Sequence, residues 1–251
     1  MLSSLPMDFV GNSLPLSEAG LQACVDALGV DPAAIWTLLA VETKGCGFLP
    51  DRRPLILFER HVFRRQTKGV FDVSHPAISS PVPGGYLGGP KEYDRLQEAL
   101  ALNRVAALNS ASWGIGQLMG YNAKHAGFSD VTAMVTAMQN GEDAQLSAVA
   151  KWVRANKLHT SIARHDWATF ARGYNGPDFQ KNQYDTRLAS FFASFSVSLP
   201  SIKVRQAQML LMFLGIDAGT PDGIAGKRTR SGVSNSAHST VSAPRMLWTM
   251  R

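Results

Sequence analysis

Apolar side chains recur at a 3.6-residue spacing along nearly the whole chain, the signature of packed helices, and only one short patch, near residues 53–63, reads as β. A first helix is expected from about Ser17 to Leu28, with Leu21, Cys24, Val25 and Leu28 on one face. Asp31-Pro32 then joins an N-cap acid to a proline at the first helical position. The helix it starts runs through Ile35, Trp36, Leu38, Leu39 and Val41 and should stop near Gly45 and Gly47. FLPDRRPLILFERHVF, residues 48–63, reads as irregular or short β, and residues 69–90, with PVPGGYLGGP, as a surface loop flanking a site. Helical patterns return at about 91–109, 113–126, 130–140, 142–156, 166–174 and 180–195. Residues 1–16 read as a loose arm, 196–203 as a linker, and the Ser-rich stretch 234–251 as a poorly ordered tail.

With 251 residues the chain has room for one domain of about 150–200 residues and a small second module. Its 45% hydrophobic and 18% charged residues are those of a globular protein rather than a disordered one. The net charge of +6 is unevenly placed. From Pro200 onward, Lys203, Arg205, Lys227, Arg228, Arg230, Arg245 and Arg251 face only Asp217 and Asp222, seven against two, so this segment holds +5 of the total. Such a segment favours an anionic partner, but charge alone does not choose among nucleic acid, lipid and cell wall. Cys24 and Cys46 have no CxxC spacing and are expected to be free thiols. The six histidines lack ligand spacing, so neither metal nor cofactor is expected. MLSSLPMDFV has no basic or apolar signal region, which leads us to expect synthesis in the cytoplasm without a signal peptide. The longest apolar run, Met209–Leu214, is far short of a membrane span.

Glu42 is well placed for acid catalysis. It falls in the last turn of an apolar helix, where the negative end of the helix dipole disfavours an ionised carboxylate. Packing of Val41 and Phe48 over it would add desolvation. Both effects raise a carboxyl pKa, as a general acid near neutral pH requires. Position alone favours a solvated glutamate at a helix end over a catalytic one.

The order of later motifs separates the two. After Glu42 come Ser112-Trp113-Gly114-Ile115-Gly116-Gln117-Leu118-Met119 and Arg172-Gly173-Tyr174-Asn175-Gly176-Pro177. A Glu-bearing helix, a Gly-x-Gly-Gln stretch and a Tyr-Asn-Gly, in that order, resemble the lysozyme superfamily, goose-type lysozymes and lytic transglycosylases in particular. AVETKGCGFLPDRRPLILFERHVF, SASWGIGQLMGYNAKHAGF and DWATFARGYNGPDFQKNQYDTRLA are closer still to the N-acetylmuramidase domain of bacteriophage endolysins, over about residues 17–195. The resemblance implies a mainly α fold: a lysozyme-like helical domain with a short β-hairpin over residues 1–198, and a small helical module over 199–251. It implies hydrolysis of the β-1,4 bond between N-acetylmuramic acid and N-acetylglucosamine in peptidoglycan strands, with lysis of the cell. A lytic transglycosylase on the same fold is the alternative. Glu42 would be the acid and Glu59, in Phe58-Glu59-Arg60-His61, the second carboxylate, with Asp51 as the other candidate. Gln117, Tyr174 and Asn175 carry over as residues of the sugar cleft, while Trp36 and Trp113 read as core.

Near the C-terminus, a Gln-bearing amphipathic helix, Val204–Leu211, precedes Asp222-Gly223-Ile224-Ala225-Gly226-Lys227-Arg228-Thr229. This resembles a small peptidoglycan-binding domain over about residues 203–233, without that family's third helix. Two short helices bury too little apolar surface to fold alone and would have to dock on the main domain. A wall anchor and a degenerate appendage both fit. The expected partners are peptidoglycan strands and, through the basic segment, an anionic wall or outer-membrane surface. Nucleic acid is not expected, since no basic recognition helix is present. The enzyme should act as a monomer, at the wall, after passage through the inner membrane.

Overall fold

Several helix starts in this chain are set by short polar side chains placed before apolar runs. In the computed structural model, which describes residues 9–42 and 45–241 apart from the side chains of Glu42 and of residues 237–241, Ser17 accepts from Gly20 N and opens α1, Glu18–Leu28, which ends at Gly29 in the left-handed region (φ 65°). Asp31 accepts from Ala34 N at 2.9 Å and opens α2, Pro32–Glu42. Each such cap is worth about 1 kcal/mol. Every described side chain of α2 except Pro32 and Ala40 is buried, so other helices must surround it.

They do. After β1 (Ile56–Phe58) and α3 (Arg60–Gln66) come α4 (Glu92–Leu102), α5 (Arg104–Asn109), β2 (Ala111–Trp113), β3 (Leu118–Met119), α6 (Val131–Asn140), α7 (Glu142–Ala155), α8 (His159–Ala163), α9 (Trp167–Asn175), α10 (Tyr184–Val197), α11 (Ile202–Phe213) and α12 (Lys227–Val241). One core surrounds α2, with α1, α7, α9 and α10 packed about Ile35, Leu39, Leu146, Phe170 and Leu188. A second surrounds the sheet and α4 to α6, about Phe58, Phe63, Leu96, Trp113 and Met134. Trp36 and Trp113 are core residues, as expected from their spacing.

The sheet has the order β1-β2-β3, antiparallel throughout, with Leu57 opposite Ser112 and Ser112 opposite Met119. It corrects one expectation, since residues 113–126 are a hairpin, a 3-10 turn and loop rather than a helix. Gly114 sits at φ 68° and breaks the helical run, and the strand edge of β1 offers the backbone partners a helix would have supplied internally. The expected helix 91–109 is two helices, divided at Asn103, whose side chain caps α5. The arm is not loose over its described part: Phe9 and Leu16 are buried, and Ser13 N and Leu14 N donate to the carbonyls of Gln139 and Asn140. Residues 1–8 lie outside the described residues. Of the expected tail, 234–241 continues α12, and 242–251 lies outside the described residues.

Both cysteines are free and buried. Burial pushes the Cys24 thiol up to about 12 and, reinforced by the nearby Glu142 carboxylate, the Cys46 thiol up to about 11, which leaves both protonated and unreactive.

Candidate active site

A groove of about 620 Å³ opens between the sheet and the ends of α9 and α10. Leu55, Ile56 and Leu57 form one side, Gly116, Gln117 and Met119 the floor, and Tyr174, Asn175 and Tyr184 the other side. Glu59 stands at one end beside Gly88 and Gly89. Four residues expected to act together, Glu59, Gln117, Tyr174 and Asn175, thus converge from three separate stretches of the chain.

Glu59 is held there by the sheet. β1 delivers Phe58 into the core, and the chain turns at Glu59 into α3. Its side chain is 16% exposed. Tyr86, from the Gly/Pro-rich loop, donates its hydroxyl to the carboxylate, 2.9 Å from Oε1 and 3.0 Å from Oε2. Burial, then the hydrogen bond and charge of Glu59, push the Tyr86 phenol up to about 12, so it remains a donor. His61 Nδ1 lies 3.1 Å from Glu59 Oε2, within ion-pair range but without the alignment of a hydrogen bond. Tyr86 was missed in the sequence, although it sits in the loop assigned to flank a site. Its spacing to Glu59 has no periodic signal.

Beneath Glu59 and Tyr86 runs a buried strut. Glu92 accepts from Phe58 N (3.0 Å), Leu87 N (2.6 Å), Gly88 N (3.0 Å) and Arg95 Nη1 (3.0 Å). Arg95 in turn donates to Phe58 O at 2.8 Å. The strut ties the strand before Glu59 to the loop that carries Tyr86. Burial pushes the Glu92 carboxyl up, but the hydrogen bonds from Gly88, Phe58 and Leu87 and the Arg95 charge outweigh it and hold the carboxyl below its ordinary range.

Gln117 lines the floor at φ 47°, a left-handed conformation that costs a non-glycine residue roughly 1–2 kcal/mol. Its amide steadies the turn: Oε1 accepts from Ser112 Oγ at 2.8 Å, and Nε2 donates to Gly114 O at 2.9 Å and Leu55 O at 3.2 Å. Tyr174 donates to Gly116 O at 2.8 Å and stacks on Phe170. Asn175 is the last residue of α9, before Gly176 at φ 88°.

The acid candidate, Glu42, is the last residue of α2; its side chain lies outside the described residues. The turn before it is well placed. Leu38 and Leu39 enclose a small apolar void of about 20 Å³ together with Ile115, Gly116 and Tyr174. Two groove residues therefore sit over the C-terminal end of α2. Phe48, a few residues further on, packs with Cys46, Met209 and Phe213. Asp51 does not reach the groove lining: it pairs with Arg53 at 2.6 Å in an exposed turn. A larger depression of about 710 Å³ runs along α6 beside Gly11 and Asn12. Its single carboxylate, Asp130, is committed to capping α6.

A family model described as N-acetylmuramidase matches residues 31–196. Among solved structures, the crystal structure of the Burkholderia AP3 phage endolysin is similar, with 40% sequence identity, a TM-score of 0.69, and a match covering 73% of this chain and 72% of that one. A search of curated proteins finds no match.

Proposed function

Because this chain belongs to the N-acetylmuramidase family, a family of glycoside hydrolases that act on peptidoglycan, we propose that its groove is the catalytic cleft and that Glu42 is the general acid. The observation that supports this best is the meeting of Glu59, Gln117, Tyr174 and Asn175 along one groove above the end of α2. The chain is an endolysin-type muramidase, and a glycan strand laid in the groove would pass Glu59 and the end of the helix that carries Glu42. Glu42 protonates the leaving oxygen. Glu59, steadied by Tyr86, stabilises the cationic sugar or activates the attacking water. Gln117 shapes the floor through its bonds to Ser112 and Leu55, and Tyr174 and Asn175 form the wall nearest the acid's helix.

In this reading the enzyme is a monomer, made in the cytoplasm and passing the inner membrane to reach the wall. Exposed Lys203, Lys227, Arg228 and Arg230 draw it to anionic wall or outer-membrane surfaces. Digestion of purified peptidoglycan followed by mass spectrometry tests the chemistry. The expected fragments end in reducing N-acetylmuramic acid. Fragments one water lighter would show transglycosylation instead, and reducing N-acetylglucosamine ends would place the cut at the other bond.

A further inference from the structure

The C-terminal module is tied to the main domain by a buried ion pair, and Gln206 Nε2 beside it donates to Leu16 O at 2.8 Å. Arg205, on α11, is 1% exposed and forks onto Glu142, the first residue of α7, with Nη2 at 2.8 Å from Oε1 and Nη1 on Oε2. The same Nη2 donates to Gly45 O at 2.9 Å. Glu142 in turn accepts from Gly47 N and Leu16 N, each at 2.8 Å. Gly45 and Gly47 lie three and five residues after Glu42. Apolar contacts close around the same segment: Cys46 and Phe48 cluster with Met209, and Arg52 lies over the Phe213 ring at 5.1 Å. Gly45, at φ 116°, passes so close to the module that a Cβ there would meet Thr220 Cγ2 at 2.5 Å.

Part of the stretch that resembles a peptidoglycan-binding motif is turned inward. Gln208 Nε2 donates to Asp222 and Thr229, and Gln208 Oε1 accepts from Gly223 N at 2.9 Å. These bonds commit the buried Gln208 and Thr229 to holding the module together, while Asp222, Lys227 and Arg228 of the same stretch are exposed. Arg205 is also lost to any surface attraction, because its charge is buried against Glu142.

We infer that this module serves catalysis as a brace, with Arg205 as a positioning residue that fixes Gly45, three residues past Glu42 in the chain. The charge on Glu142 gathers Leu16, Gly47 and the guanidinium to one point, and the planar fork of arginine takes both oxygens of that carboxylate while reaching Gly45 O, a bidentate geometry that the single ammonium of a lysine does not reproduce. A shift of the acid's backbone by about 1 Å is enough to lower turnover by roughly a hundredfold. The inference rests on the reading of Glu42 as the acid.

The test uses full-length Arg205→Lys, which keeps the charge opposite Glu142 and gives up the fork. A second variant, Arg205→Met with Glu142→Leu, replaces the whole pair by apolar side chains and avoids leaving one charge buried alone. Initial rates are measured against pH on purified peptidoglycan and on short soluble glycan fragments released from it, below each variant's melting temperature. We expect kcat to fall at least about tenfold on both substrates with KM within about twofold, and the alkaline limb of the pH profile, where the acid ionises, to move. Variants that melt earlier but keep the kcat, KM and pH limb of the parent would overturn the brace. So would a defect confined to intact wall, which would make the module an anchor. Glu42→Gln measured alongside distinguishes the two levels: parental activity there overturns the acid assignment and the brace together, whereas an inactive Glu42→Gln beside unchanged Arg205 variants overturns the brace alone.

Discussion

Asp51 and Glu59 follow the proposed acid, Glu42, in the chain, and their surroundings differ in kind. Asp51 sits in the open with its charge spent on Arg53, while Glu59 lines the groove with one phenol across both its oxygens. Replacing Glu59 by Gln should therefore lower the rate on peptidoglycan by roughly 10²–10⁴, the usual contribution of a catalytic acid–base group. Asp51→Asn should stay within about twofold, as surface ion pairs are worth little. Equal losses in both variants, read from initial rates of turbidity clearance, would reverse the assignment. Sequence reasoning could name Glu59, Gln117, Tyr174 and Asn175 because they stand in recognisable motifs. It could not find Tyr86 or Glu92, since a hydroxyl laid over a carboxylate 27 residues away depends on how a loop closes and leaves no periodic trace.

At the scale of elements, the strut of Glu92 and Arg95 decides whether strand and loop stay together. Glu92→Ala would leave the Arg95 guanidinium buried without its carboxylate, at a cost of about 3–5 kcal/mol in urea unfolding at pH 7. The pH dependence has a definite sign. The folded carboxyl lies below its ordinary value of 4.5, so its stabilisation is complete above that value and is lost as the pH falls through the folded one. The stability gap between wild type and Glu92→Gln should narrow below about pH 4. A gap that stays constant from pH 7 to 3 would show that the carboxylate is not what holds the strut. The helices themselves were legible where caps and apolar runs agree, as at Ser17 and Asp31. The stretch 113–126 was not, because its apolar spacing fits a helix and only pairing with a distant strand, Ile56 with Trp113, makes it a hairpin.

For the molecule as a whole, the need of the two C-terminal helices to dock was legible from their size. The docking partner was not, because one buried pair 63 residues apart in sequence cannot be read from spacing. With Arg205 buried, Lys203, Lys227, Arg228 and Arg230, the exposed basic side chains among the module's described residues, should still attract an anionic wall. Raising ionic strength to about 0.15 M, where the screening length is near 8 Å, should raise the half-saturating amount of wall and leave the limiting rate unchanged. A salt-independent half-saturation would remove that attraction. All of this concerns how a strand reaches the groove, whereas the reaction itself is assigned to the end of α2. The rate of glycan cleavage by purified Glu42→Gln, compared with wild type at matched melting temperature, is the direct test. The account predicts a loss of at least about a hundredfold with folding intact, because the amide keeps the shape of the side chain and removes its transferable proton; a folded Glu42→Gln enzyme that cuts peptidoglycan at the parental rate would contradict it.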